Sequence, residues 1–447
     1  MTKKPVTVLH ITPHLGGGVG RVVLNYLDYC RDSSGYKHKV QCLEYANEGA
    51  KTSLAKSGIE YSDDMYLNHN ALLSEVAAAD IVLVHWWNHP LLYSLLVREH
   101  FPASRIIFWS HTFGAHAPYV FPPAALNYPD YFVFTTPLSL ELPAIKALSE
   151  ERKKRLRVVW STGGVERLIK QERVPHDGFN IGYVGTVDYC KMSPDFLEIA
   201  REVNIQNAKF IVCGGPSEKE IASEAATAGI SEKFTFTGSI SNVEEQFSKF
   251  DIFGYPLASY HYGTCEQALA EAMAAGIPPV VMNNPTETLM VKDGQTGLVA
   301  EDSRGFAECI RMLYNDIVLR KRLGENARKH AAENFSMKKM ADSWNRIFEE
   351  IIVLSKSDRC WKGTFTGSEA VPHQLFLESI YGSCGQFMDY CNAEDETGRQ
   401  KIENEIIGLG KESSLWRAAT RGTPAHYSKF FPEDGVLAEW SRLLNLR

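Results

Sequence analysis

The chain alternates, twice over, between short runs of β-branched and aromatic residues and longer helical patterns, and this limits its folding more than any other feature of its 447 residues. The first series starts at Val6-Thr7-Val8-Leu9-His10-Ile11 and continues through 39–43, 80–85, 105–109 and 131–134. After a polar bridge at 170–178, a second series opens at 179–184 and continues through 208–213, 234–237, 251–255 and the valine-rich 280–282. Such runs are strands of parallel sheets covered by helices on both faces. The expected fold class is α/β: two doubly wound, Rossmann-like domains facing a cleft, with ligand at the carboxyl ends of the strands.

Composition agrees with a large enzyme of two or three domains. A net charge of −7 gives no broad attraction to nucleic acid, so no nucleic-acid partner is expected. Nine cysteines, odd in number and without a CxxC pair, point to reduced thiols in a cytoplasmic protein. The start, Met-Thr-Lys-Lys-Pro-Val, has no apolar signal region, and no run approaches the roughly 20 residues that span a bilayer. The basic run Arg152-Lys153-Lys154-Arg155-Leu156-Arg157 reads as a solvated helix face, with peripheral contact at an inner membrane face as the alternative.

The most telling segment runs from Gly263 to Val281. Thr264 with Gln267 reads as a capping box, strong helix formers follow, Gly276 is a stop, and Pro278-Pro279 forbids continuation. Glu266 in the first turn and Glu271 later stand about 140° apart around the helix and are suited to sugar hydroxyls. The first strand runs into Gly16-Gly17-Gly18-Val19-Gly20-Arg21 and then an apolar helix from Val22 to Cys30, an arrangement that favours phosphate. Arg21 occupies the third-glycine position of a dinucleotide fingerprint, so a nicotinamide reading keeps only Glu44 after the second strand as a ribose acid. His111, just after the fourth strand, is placed to face the cleft; His85, His89 and His116 compete with it, and their spacing gives no metal site.

Taken in order, these segments resemble the GT-B glycosyltransferases of the family-4 type over residues 5–353. Glu271-Ala272-Met273-Ala274-Ala275-Gly276 is similar to the second half of that family's signature, which implies that Glu271 binds the ribose of a sugar nucleotide. The signature's first glutamate falls on Gly263, and Glu266 is the proposed substitute for this sugar-contacting acid, beside Thr264 and Cys265. Gly185-Thr186 with Lys191 resembles the Gly-Arg and Lys element that neutralises the diphosphate, with Thr186 in the arginine's place. Gly215 resembles the first of the loops lining the nucleobase pocket, and Gly238 with Ser239 the second. The resemblance implies that His111 touches the transferred sugar and that Gly16 to Gly20, with Arg21, lies beside the diphosphate.

The expectation is a retaining glycosyltransferase with three segments. Residues 1–175 form the acceptor-side domain, 176–335 the donor-side domain, and 336–447 the helices that return to the first domain plus a helical extension of unassigned role. Lys191, His111 and Glu266 carry the chemistry. No cofactor or metal is called for; a nucleotide-diphosphate sugar, UDP favoured, is the co-substrate, and the acceptor is a glycan, glycolipid or protein hydroxyl. The alternatives are a nucleotide-sugar-binding protein without catalysis and a nucleotide-sugar epimerase.

Overall fold

The computed structural model describes residues 4–32, 35–240 and 242–446. The chain divides into two compact units, 1–161 with 341–447, and 162–340. The division therefore comes before the expected break after residue 175. The physical reason lies in the loop that follows Ser161: Gly163 donates its N–H to the Gln267 side chain and Arg167 pairs with Glu271, which binds this loop to the second unit.

The first unit holds a seven-stranded sheet. Its strands are β1 (Val6–Thr12), β2 (Tyr36–Cys42), β3 (Glu60–Ser62), β4 (Ile81–Trp86), β5 (Ile106–Ser110), β6 (Tyr131–Phe134) and β7 (Leu156–Val158). They are parallel, in the order β7-β6-β5-β4-β1-β2-β3. In the second unit β8 (Phe179–Val184), β9 (Ala208–Cys213), β10 (Phe234–Gly238), β11 (Ile252–Tyr255), β12 (Pro279–Met282) and β13 (Leu298–Ala300) form a parallel sheet ordered β10-β9-β8-β11-β12-β13. Each order reverses direction once, between β1 and β4 and between β8 and β11. In open α/β sheets ligands bind at such reversals, outside the carboxyl ends of the strands.

Every residue of β4, β5, β6, β8 and β11 is buried, as a strand covered on both faces requires. The helix after β1, α1 (Gly17–Cys30), starts five residues earlier than the expected Val22, so the glycine-rich segment is its first turn. The division between units falls inside α3 (Met337–Ile352), whose Trp344 packs edge-on against Trp109 at 5.0 Å. Beyond it, residues 357–359 pair antiparallel with 101–104.

The remaining helices share one core with the first sheet: Phe376, Phe387, Trp416, Tyr427 and Trp440 join Trp86, Phe101 and Phe132 in a single buried cluster. Truncating one such aromatic costs about 3–5 kcal/mol, so the extension is part of this unit's stability.

The basic run is not a solvated helix face. Arg152 donates to the carbonyls of Leu126, Pro129 and Asp130. Arg155 and Arg157 lie over the Tyr131 ring, and Arg157 pairs with Glu350. All nine cysteines are free thiols. No helix among the described residues is long and apolar enough to cross a membrane.

Candidate active site

In the second unit β8 and β11 lie side by side where the strand order reverses, and the segments leaving them converge. After β8 the chain turns at Asp188, whose carbonyl accepts the N–H of Lys191 at 3.0 Å, while Ala258 donates to the Lys191 carbonyl. The lysine is therefore held at both backbone groups. Its Nζ reaches Glu266 Oε2 at 2.7 Å, and the same oxygen accepts the Tyr255 hydroxyl at 2.7 Å. Nζ also lies over the rings of Tyr255 and Tyr262, at 5.8 and 5.7 Å from their centroids, an arrangement that favours a cation.

Lys191 and Glu266 are both buried. Burial by itself pushes the Glu266 carboxyl up; Lys191 and His261 pull it down further, so the net shift is downward and the ionised form is held.

Glu266 does not lie in the first turn of a helix capped by Thr264. The helix, α2 (Gln267–Ala274), begins one residue after it, and Glu266 is the N-cap with no side-chain capping bond. The expected capping box fails because its members have other partners: Gln267 Nε2 donates to the Gly163 carbonyl and to Glu271, and the Thr264 hydroxyl points at Cys265 Sγ. The C-terminus ends as the sequence implies. Gly276, at φ +71, donates to the Met273 carbonyl and Ile277 to that of Ala272, a Schellman pair.

Gly263 has a steric cause. A Cβ there would collide with Glu266 Oε1 and stand 2.8 Å from His261 Nδ1, so the Glu266 carboxylate occupies the space in front of the residue that lacks one.

Glu271 is fully buried on the same helix, its Oε1 held by Arg167 at 2.8 Å and Gln267 at 3.1 Å. Arg167 pairs in turn with Glu244. Thr186, in the position of the missing arginine, bonds the Tyr262 hydroxyl at 2.9 Å. Gly185 donates to the Cys213 carbonyl, Gly214 to Gly238, and Val187 to Gly215. Gly214 has φ +135, and a Cβ there would strike the Gly185 carbonyl, so these turns close on one another only through glycine. Ser239 follows, exposed.

His261 was not singled out from the sequence, and Glu287 drew notice only as the end of the 283–287 segment that stands where the resembled family has a Gly-Gly donor loop. His261 Nε2 and Glu287 Oε1 are 3.2 Å apart, and the side-chain N and O atoms of His261, Glu266 and Glu287 lie within 4.8 Å of one another. His261 Nδ1 accepts the Gly263 N–H at 3.0 Å, which leaves the ring proton on Nε2, facing Glu287. Both nitrogens are thus engaged, and this cluster reads as a hydrogen-bonded brace behind the Lys191 pair.

The first unit holds the other expected residues. Gly16 is the N-cap of α1; Gly17 and Gly18 are exposed with open space where a Cβ would be, while Gly20 is buried against Leu15. Arg21 is half-buried on the same turn. His111 is the end of a row of imidazoles across the sheet: His38 Nδ1 to His10 Nε2 at 2.9 Å, His10 Nδ1 to His85 Nε2 at 3.0 Å, and His85 Nδ1 to His111 Nε2 at 3.1 Å. This separates the competing histidines. Both nitrogens of His85 are used, whereas His111 Nδ1 has no hydrogen-bond partner. His116 lies in a two-residue strand paired with Tyr119.

Residues 165–330 match the family described as glycosyl transferases group 1. The chain is 25% identical over 173 residues to the capsular polysaccharide biosynthesis glycosyltransferase CapM of Staphylococcus aureus, covering 37% of this chain and 45% of CapM. It is 27% identical over 160 residues to the N-acetyl-alpha-D-glucosaminyl L-malate synthase of Bacillus anthracis, covering 35% of this chain and 40% of that protein. The chain thus spans less than half the length of these relatives. Among solved structures, Anabaena HepE in complex with UDP-glucose superposes with a TM-score of 0.64 at 14% identity, over 77% of this chain and 99% of that one. The sucrose-phosphate synthase of Thermosynechococcus elongatus does so with a TM-score of 0.57 at 15% identity, over 77% and 98%.

Two doubly wound parallel sheets with these neighbours define a GT-B fold. More particularly, residues 165–330 match the glycosyl transferases group 1 family.

Proposed function

We propose that the protein transfers a sugar from a nucleotide-diphosphate donor to a hydroxyl acceptor with retention of configuration. The observation that carries this reading is the buried Lys191–Glu266–Tyr255 group at the strand-order reversal of the group 1 domain. The glycosyltransferase names of the relatives and the UDP-glucose bound to HepE support it, the latter favouring a UDP-sugar.

In this reading Glu271 accepts the ribose hydroxyls. Lys191 exchanges its Glu266 partner for the diphosphate, whose charge grows as the glycosidic bond breaks. Glu266, freed of the lysine, takes a sugar hydroxyl, and the Gly16–Gly20 turn adds amide donors and the positive end of a helix dipole. His111 contributes an unpartnered ring nitrogen to the sugar. The acceptor oxygen bonds to the anomeric carbon on the leaving-group side, the bond to the donor phosphate breaks, and the acceptor's proton passes to the departing phosphate oxygen. The acceptor class is a glycan, glycolipid or protein, and the working compartment the cytoplasm, with peripheral contact at the inner membrane face left to the membrane-bound acceptors.

Incubation with a panel of radiolabelled nucleotide sugars tests this. Slow release of free sugar from one donor identifies it even without acceptor. Binding of the nucleotide without any release would favour the second reading, a sugar-nucleotide-binding protein, for which the threonine at 186 and the ion-paired state of Lys191 speak. Conversion to an epimeric nucleotide sugar would point to an epimerase instead.

A further inference from the structure

The three loops leaving β1, β2 and β4 each bring one polar side chain to the strand-order reversal of the first unit: His14, Glu44 and His89. Glu44 Oε2 stands 3.8 Å from His14 Nδ1 and 3.8 Å from His89 Nε2, and the three atoms lie within 4.8 Å of one another. Each separation is too long for a direct hydrogen bond. Both ring nitrogens are shut away from solvent without a hydrogen-bond partner, and His89 is 0% exposed. Leaving such atoms unpaired is costly, and the three converge on one point.

Geometry and protonation say what fits there. An oxygen atom set to one side of the plane of the three can stand about 2.8 Å from each, ordinary hydrogen-bond length. His89 Nδ1 already accepts the Leu91 N–H at 3.2 Å, so the ring proton sits on Nε2 and no lone pair there faces the cluster. Burial, then the nearby His426, His14 and Lys429, keep the His89 ring neutral. The group to be bound accepts from an N–H and donates to a carboxylate, which a sugar hydroxyl does by taking the place of water.

The walls are aromatic. Tyr45, 43% exposed, stacks on His14 at 5.4 Å, and Trp87 meets the same ring edge-on at 5.9 Å. The far wall comes from the C-terminal extension. In α4 (Pro424–Phe430) His426 stacks on Trp87 at 5.9 Å and meets His89 at 4.9 Å, and Phe430 lies 5.2 Å from His89. This segment is fixed by Asn88 Nδ2 donating to the Gly422 carbonyl and Gly422 N–H donating to His426 Nδ1. It brings Arg421 and Lys429 close enough to act electrostatically on His14.

We propose that His14, Glu44 and His89, with the 421–430 segment, form a subsite for a negatively charged saccharide, a ring hydroxyl lying between the three side chains and its anionic group towards Arg421 and Lys429. Faces of Tyr45 and Trp87 suit the C–H faces of a sugar ring. The inference deepens the transfer reading by naming the acceptor's chemistry, and rests on that reading only for the word acceptor.

The test is binding by the full chain, without donor, of glucose 6-phosphate, glucuronate, glucose and inorganic phosphate, read by saturation-transfer NMR and calorimetry. Glucose 6-phosphate or glucuronate should bind, glucose more weakly, and Glu44→Gln and Lys429→Ala should each weaken the anionic sugar about tenfold, the scale of one charge-assisted contact. Lys429 is exposed, so its loss leaves the fold intact, and unchanged UDP binding in both variants separates this site from the donor site. Inorganic phosphate binding as tightly as the sugar phosphate, stoichiometric zinc lost in His14→Ala, or no response of sugar binding to Glu44→Gln would each overturn the proposal. Failure to release sugar from any nucleotide donor would sink the transfer reading and leave this binding untouched.

Discussion

Glu266 fills the space in front of Gly263: a side chain begun at 263 would run into the Glu266 carboxylate. Gly263→Ala should therefore destabilise the second unit by about 1–3 kcal/mol, the range of an overpacked core position, and thermal melts would show it. Gly263→Glu combined with Glu266→Gly should melt higher than Gly263→Glu alone, because the colliding carboxylate is gone. Equal melting temperatures for the two would mean that the loop moves aside freely.

Removing one partner of the buried Lys191–Glu266 pair leaves a buried charge uncompensated, at a cost of about 3–5 kcal/mol. Lys191→Met should be strongly destabilised, and Lys191→Met with Glu266→Gln should regain most of that loss. Transfer should not recover with stability: without the lysine, turnover should stay down by about 10²-fold, as for loss of a strong electrostatic contact in the transition state. Chemical denaturation and donor hydrolysis on the same samples would check both halves.

Glu271→Gln should weaken binding of the cognate nucleoside diphosphate by about 1.5–3 kcal/mol, since a charged acceptor becomes neutral. Arg167→Ala, which strips the buried carboxylate of its partner at 2.8 Å, should lower stability and leave nucleotide binding weakened less than Glu271→Gln does. Calorimetric titration reads both. An unchanged dissociation constant in Glu271→Gln would remove that residue from the ribose.

Acid should unfold the first unit early. Burial, foremost, lowers His38 to about 4 and His85 to about 3, and burial with neighbouring cations lowers His14 to about 4 and His426 to about 3. The unfolded chain binds protons at its ordinary value of 6.5 while the folded one stays neutral, so stability is full above that value and falls as pH drops through it. Each such imidazole should cost about 1.4 kcal/mol by about pH 5.5. Melting curves from pH 7.5 to 5.5 should show the loss, and His85→Phe should flatten the slope.

The central strands were legible because each declares itself: Tyr131–Phe134, Phe179–Val184 and Ala208–Cys213 coincide with their apolar runs, whereas the short edge strands β3 and β7 carry no such run, and Leu156-Arg157 in β7 read as part of a helix face. The stop at Gly276 was legible too, a local matter of left-handed backbone. The helix start at Gln267 was not, since Gln267 is drawn away by Gly163, a partner 104 residues distant, and Thr264 turns to its neighbour Cys265. Arg167 lay out of sight for the same reason: its bond to Glu271 spans 104 residues. Glu44 drew notice as a ribose acid, yet its neighbours are His14 and His89, brought there by strand order alone.

The imidazole row from His38 to His111 has one sense throughout, Nδ1 of each ring facing Nε2 of the next. A neutral imidazole has one proton for two nitrogens, so the bonded rings must all hold it on the same side, and none can switch alone. The row therefore has two states, like a single binary digit written across β2, β1, β4 and the end of β5. In one, His111 ends in an N–H; in the other, in a lone pair. What the outermost ring offers a visiting molecule is settled three side chains away.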